Sequence, residues 1–251
     1  MSLLVVKNLV KRFGGLVATD HFNLDVLAGE THALIGPNGA GKTTLINQLT
    51  GVIMPDEGVV QFNGVDITHM STYKRALAGI ARSYQITAVF TELTVLENVS
   101  LAVQATQGHS FRFWGPVLQD PQLVGSAMAV IERVGLKHHA YVSVRELAHG
   151  ARRQLELAMA LATSPKLLLL DEPMAGMSKH DSLQMLDLLA KLKREYTIVL
   201  IEHDMDAVFA LADRITVLVS GAAIETGPPD AIRSSDAVRV AYLGGEEEFA
   251  L

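Results

Sequence analysis

Residues 31–44 read THALIGPNGAGKTT. Residues 31–35 form an apolar run of strand length, and it leads directly into Gly36-Pro37-Asn38-Gly39-Ala40-Gly41-Lys42-Thr43, followed by Thr44. A helix is expected over 43–49, ended by Gly51 and then Pro55. The spacing has a physical reason. Glycines at 36, 39 and 41 let the backbone curl until successive N–H groups point into one concavity, and the helix adds the positive end of its dipole. Anionic oxygens fill such a bowl, so the stretch predicts a phosphate-binding loop, with Lys42 reaching β- and γ-phosphates and the Thr43 hydroxyl ligating Mg²⁺.

A second element follows the apolar run at 166–170, where Asp171-Glu172-Pro173 places two carboxylates at a strand's carboxyl end. Open α/β sheets bind ligands at that edge. Taken alone, an acidic pair there reads as loop-facing groups or a helix cap. Beside a phosphate loop it reads as a catalytic pair, Asp171 holding Mg²⁺ through its water shell and Glu172 accepting a proton from attacking water. After the apolar run 197–201, Glu202-His203-Asp204 brings an imidazole to the same edge, suited to donate to a γ-phosphate. Gln85 stands where the core gives way to a helical stretch, and its amide suits either Mg²⁺ or the attacking water.

The runs 166–170, 197–201 and 215–219 have the continuous apolar character of strands buried on both faces, and helical patterns at 181–195 and 205–212 separate them. That alternation implies right-handed βαβ crossovers. Shorter β-prone runs at 3–6, 23–27 and 59–62 are punctuated by turns such as Gly14-Gly15, which suggests an antiparallel segment near the start. From 86 to 162 the texture changes to helices at 94–105, 122–134 and 151–162, with an irregular excursion at 107–121. The expected fold is an α/β P-loop NTPase with a RecA-like, mostly parallel core sheet, an N-terminal antiparallel β segment and a helical insertion. One domain is expected over 1–251, with 1–85 and 163–230 as the core lobe, 86–162 as the helical subdomain and 231–251 as a C-terminal tail.

Composition narrows the partners. A content of 49% hydrophobic and 19% charged residues belongs to a chain that folds. A formal net charge of −6 has the wrong sign for coating nucleic acid. The chain has no cysteine, which excludes disulfides and thiolate metal sites. Lys7 and Lys11 break the N-terminal apolar residues too soon for the central region of an export signal. No apolar run approaches the roughly 18 residues a bilayer requires, so a membrane connection is expected to run through a protein partner.

Together these residues resemble the nucleotide-binding subunit of an ABC transporter, over essentially the whole chain. GPNGAGKTT is similar to the Walker A loop, LLLLDEP to the Walker B strand with its catalytic glutamate, Gln85 to the Q-loop, His203 to the switch histidine and Ala175-Gly176-Met177-Ser178 to the D-loop. The resemblance places Phe13 where an aromatic ring stacks on adenine. Residues 147–151, LAHGA, stand where the family has LSGGQ. Ala148 therefore replaces a serine donor and Ala151 a glutamine, while Gly150 and the following helix keep backbone donors. Losing one donor from a transition-state clamp costs on the order of 2.7–4 kcal/mol when nothing substitutes, so the site served by this signature is expected to be slow.

KRFGGLVA at 11–18, ARSYQ at 81–85, DEPMAGM at 171–177, LIEHDM at 200–205 and AYLGGEE at 241–247 are similar to the ATPases of branched-chain amino-acid importers. The excursion around Phe111, Phe113 and Trp114 resembles the larger of that importer's two. Importers of urea or short amides, and lipopolysaccharide export, share part of the pattern. The resemblance implies ATP and Mg²⁺, and a sandwich dimer in which each nucleotide lies between one subunit's Walker A and the other's signature. The implied partners are a second, related ATPase, two membrane-spanning permease subunits and, indirectly, a solute-binding protein. The implied location is cytoplasmic, on the inner face of the cell membrane. Chromosome-maintenance relatives would carry a long coiled coil, and translation-type relatives two tandem domains.

Overall fold

A computed structural model describes residues 1–83, 89–106 and 120–243. Gln85, most of the 107–121 excursion and the end from 244 lie outside the described residues.

The N-terminal antiparallel segment is built on a long hairpin, β1 (Ser2–Phe13) and β2 (Leu16–Leu27), turning at Gly14-Gly15, with β4 (Glu57–Phe62) and β5 (Val65–Asp66) completing the order β2-β1-β4-β5. The strands run well beyond the apolar runs visible in the sequence. Their registers shift near Asn8 and His21, which sit at φ 46° and 45°, so bulges carry pairing through polar stretches.

Among the described residues the second sheet has six strands. β3 (Thr31–Ile35) pairs in parallel with β8 (Thr197–Ile201) and β9 (Arg214–Val219), β7 (Leu167–Asp171) lies beyond β8, and β6 (Ile80–Ser83) forms one edge. β10 (Ala222–Gly227) runs antiparallel along β9 at the other edge. β3, β7 and β8 are buried along their full length, which accounts for their unbroken apolar composition. Neither β6 nor β10 is an apolar run, so the sequence carries no strand signal there: IARS gains its strand conformation by pairing with β7.

α1 (Lys42–Thr50) follows β3 and ends on Gly51 at φ 77°, where Val52 N donates to Asn47 O and Gly51 N to Gln48 O. This left-handed stop is one glycine adopts without penalty. Buried Arg75, on α2 (Thr72–Ala78), donates to the carbonyls of Gln48, Leu49, Thr68 and Met70. It therefore ties the carboxyl end of α1 to the rest of the lobe with a cation where the helix dipole favours one.

The helical stretch contains α3 (Val95–Thr106), α4 (Pro121–Arg133) and α5 (His149–Ala162). Their apolar faces share one cluster with Leu168 and Leu170 of β7 and with Leu188 and Leu189 of α6 (Lys179–Leu192), so this lobe packs on a face of the main sheet. After α7 (Met205–Leu211), residues at the C-terminal side form α8 (Pro229–Ser234) and α9 (Asp236–Leu243), which bury Ile232 and Val238 against Ala33 and Ile215. Among the described residues no helix is long and apolar enough to cross a membrane.

Candidate nucleotide site

Because β3, β7 and β8 are parallel neighbours in one sheet, the loops that leave their carboxyl ends meet at one edge. The loop 36–41 is held from behind. Ala40 N donates to Pro37 O, Gly221 N donates to Ala40 O, and Gly221 O accepts from Asp20 N. A Cβ at Gly36 would fall 2.1 Å from Leu218 O, and one at Gly41 2.3 Å from Ala18 O. Asn38 and Gly39 are exposed, and nothing lies within 4 Å of a Cβ at Gly39. The backbone thus presses on β2 and β9 on one side and faces open space on the other.

Gly41 caps α1 at φ 105° without a side-chain bond, and no acidic residue stands in the first turn. The helix therefore presents its positive end to an anion. Lys42 is buried, and its Nζ folds back onto Gly36 O at 2.5 Å and Pro37 O at 3.1 Å. Burial holds its pKa below the usual lysine value, while Glu172 and Asp171 pull in the opposite direction. Thr43 is exposed and Thr44 half-buried.

Asp171 ends β7 with 2% exposure. Glu172 then turns sharply at φ 50°, a conformation of order 1–3 kcal/mol above the favoured regions for a residue with a side chain. Its N–H donates to Ile201 O at 2.9 Å and its carbonyl accepts from Ala175 N at 3.1 Å. The first bond ties the strained turn to β8, and the second closes the turn on itself. The side chain meets His203, with Nε2 and Glu172 Oε1 2.8 Å apart.

Two residues that sequence reasoning did not single out complete this edge. Glu202 is buried and accepts from Met174 N at 2.9 Å through one oxygen and from His203 N at 3.1 Å through the other. Arg82 pairs with Asp171. Both stood inside quoted motifs, but nothing in one dimension says that these polar side chains point inward.

Burial raises the Glu202 pKa above the usual glutamate value, against the lowering effect of its two N–H donors. The folded chain therefore binds this proton more tightly than the unfolded one. Its contribution to stability is full below the unfolded pKa and is lost as pH rises through the raised folded pKa. Glu202→Gln, which leaves one N–H without an acceptor, is expected to cost about 1–2 kcal/mol. It should also flatten the fall in melting temperature as pH rises above the usual glutamate range, relative to the parent chain. Parallel melting curves over that rise would sink this assignment.

Phe13 stands 48% exposed at the tip of the β1–β2 hairpin, with Lys11 Nζ 5.5 Å from its ring centre. β2 of that hairpin touches the phosphate loop through Ala18. Gly150 lies in the first turn of α5, where an added Cβ would come within 2.9 Å of Asp181 Cγ, and the His149 ring rests 3.5 Å from a Cβ built on Gly176. Residues 147–151 therefore pack on the 174–178 loop and the start of α6.

The sequence profile of the ABC transporter family matches residues 19–175 of this chain. The chain belongs to the ABC transporter family. It is 38% identical to the high-affinity branched-chain amino acid transport ATP-binding protein LivG of Escherichia coli K12, over 96% of this chain and 98% of that one. Its fold superposes with a TM-score of 0.85 on an ABC transporter ATP-binding cassette in the ADP conformation, at 31% identity, covering 98% of this chain and all of that one. A dimeric cassette in a post-hydrolysis state bound to ADP and Pi matches with a TM-score of 0.76 at 25% identity, over 90% and 98% of the two chains. This ABC cassette therefore binds ATP on its P-loop fold and is an ATPase subunit, of a kind that works as a dimer on membrane permeases.

The residues present fit a divalent cation beside the phosphates. Thr43 offers an exposed hydroxyl at the start of α1, and Asp171 offers a carboxylate at the end of β7. Oxygen donors of this kind suit Mg²⁺, which binds through one or two protein groups plus phosphates and water.

Proposed function

We propose that this chain is an ATP-hydrolysing subunit of an importer for branched-chain amino acids. The hydrolytic part rests on the 2.8 Å contact between Glu172 and His203 at the sheet edge that carries the phosphate loop. The solute class rests on the near full-length likeness to LivG.

In this reading Phe13 stacks on adenine, the N–H groups of 36–44 take the phosphates, and Lys42 exchanges the Gly36 and Pro37 carbonyls for the β- and γ-phosphates. Thr43, Asp171 and Gln85 would hold Mg²⁺, which when bound neutralises charge on the phosphate oxygens. Glu172 accepts a proton from water as its oxygen bonds to the γ-phosphorus and the bond to the ADP oxygen breaks. His203 keeps Glu172 in place and donates to the γ-phosphate. The strained turn at Glu172, tied to Ile201, keeps the base from swinging away.

Gly150 and the start of α5 serve a nucleotide bound on the partner, so hydrolysis requires two subunits. The partner is a second, related ATPase, and the missing donors at Ala148 and Ala151 make the two sites unequal. Residues 1–85 and 163–230 form the core lobe, 86–162 the helical subdomain that meets the permeases, and 231–251 the C-terminal tail. The complex sits on the inner face of the cell membrane, and a solute-binding protein delivers its cargo from the other side.

The test is transport in vesicles that contain this chain, its partner ATPase and the permease pair, with the solute-binding protein supplied outside. ATP inside should drive uptake of labelled leucine, and unlabelled isoleucine or valine should compete with it. Uptake of urea in place of leucine would overturn the solute assignment and leave the hydrolytic one standing.

A further inference from the structure

Asp171 is almost wholly buried, and a carboxylate there needs a compensating charge. Lys42 is turned onto the carbonyls of Gly36 and Pro37, and in the proposed reaction it moves to the phosphates. The lasting partner comes from the edge strand. Arg82 of β6 has a side chain 8% exposed, against 1% for that of Asp171, and its Nη2 lies 2.8 Å from Asp171 Oδ2. Its Nη1 donates to Asn47 Oδ1 at 2.6 Å. Asn47 is on α1, the helix that begins at the phosphate loop. One guanidinium thus connects β6, β7 and α1.

We propose that Arg82 is a positioning residue for Mg²⁺ coordination: anchored on Asn47, it fixes the Asp171 carboxylate at a set distance from the start of α1. The inference rests on the reading that Asp171 faces Mg²⁺. A carboxylate has about four acceptor positions over two oxygens, so the bond at Oδ2 leaves capacity for a metal-bound water. The planar arginine fork holds two acceptors in fixed relation, whereas a lysine ammonium supplies the charge on a flexible stem. Position, more than charge, is therefore what Arg82→Lys removes.

The experiment measures the affinity of a fluorescent ATP analogue with Mg²⁺ and with EDTA, and takes the ratio as the Mg²⁺ effect. Circular dichroism of each ligand-free variant reports folding. Asp171→Asn should remove most of the effect. Arg82→Lys should reduce it about tenfold, the scale for groups that orient a metal ligand, with affinity in EDTA changed less than about twofold. Asn47→Ala, which buries no unpaired charge, should lower the ratio in the same direction. The double variant Arg82→Lys/Asp171→Asn should be no lower than Asp171→Asn alone, because both act on one interaction.

A full Mg²⁺ effect in Arg82→Lys, with the effect lost in Asp171→Asn, overturns the proposal and leaves Asp171 as a metal-facing group. An increased effect in Arg82→Lys also overturns it, because Arg82 would then compete with the metal. If Asp171→Asn keeps the effect, both the reading of Asp171 and the role of Arg82 fall. Should Arg82→Lys fail to fold, Asn47→Ala decides: a lowered ratio supports the proposal and an unchanged one overturns it.

Discussion

Glu172→Gln is expected to lower ATP turnover by about 10²–10⁴-fold, the range for removing a positioned general base, with ATP binding retained. The substitution is close to isosteric, and the turn at φ 50° accepts either side chain equally. The amide carbonyl still accepts from His203 where Glu172 Oε1 now lies at 2.8 Å. What is lost is the ability to take a proton. Steady-state hydrolysis of the subunit with its partner, read beside nucleotide affinity and elution volume in ATP, checks the result. The variant should bind ATP as tightly as the parent and elute as a closed dimer that does not turn over. Unchanged hydrolysis would remove Glu172 from the mechanism, and lost binding would make it a structural residue of the turn.

The second large effect is expected from Gly41→Ala. The residue sits at φ 105°, and a Cβ there would lie 2.3 Å from the backbone oxygen of Ala18, with Gly221 close behind. A left-handed backbone costs an alanine about 1–2 kcal/mol, and overpacking against main chain adds about 1–3 kcal/mol. A loss of about 2–5 kcal/mol lowers the melting temperature of a chain this size by about 5–15 °C. Because the clash pushes the N-terminus of α1 away from β2, nucleotide affinity should fall more than tenfold with it. Gly39→Ala is the matched control: its φ is 82°, but nothing lies within 4 Å of the added carbon, so only about 1–2 kcal/mol should be lost. Thermal unfolding and nucleotide titration of the two variants separate clash from strain. Equal losses would show that Ala18 yields.

The main sheet was legible because strands covered on both faces leave a one-dimensional trace. β3, β7 and β8 appear as unbroken apolar runs, and helical periodicity separates them. β6 and β10 left no such trace. β6 contributes half-buried Arg82 and buried Ser83, polar residues that take their place in the sheet by pairing with β7. The hairpin was legible at its turn and its apolar ends, while its bulged middle is held by pairing across the sheet.

The same division runs through the site. A phosphate loop is a local device: its glycine spacing, the lysine and the hydroxyl act within nine consecutive residues, so sequence alone points to where phosphates would bind. It also determined which strand ends carry Asp171, Glu172 and His203, because a buried strand and the residue that follows it are neighbours in the chain. Tertiary structure alone decided that His203 meets Glu172, that Glu202 ties the 174–178 loop to β8, and that Arg82 spans from Asn47 to Asp171, 35 and 89 positions away. The reason is physical. A buried charge must find its partner wherever the packed elements bring one, and which elements pack together is set by burial of apolar faces across the whole chain rather than by local spacing.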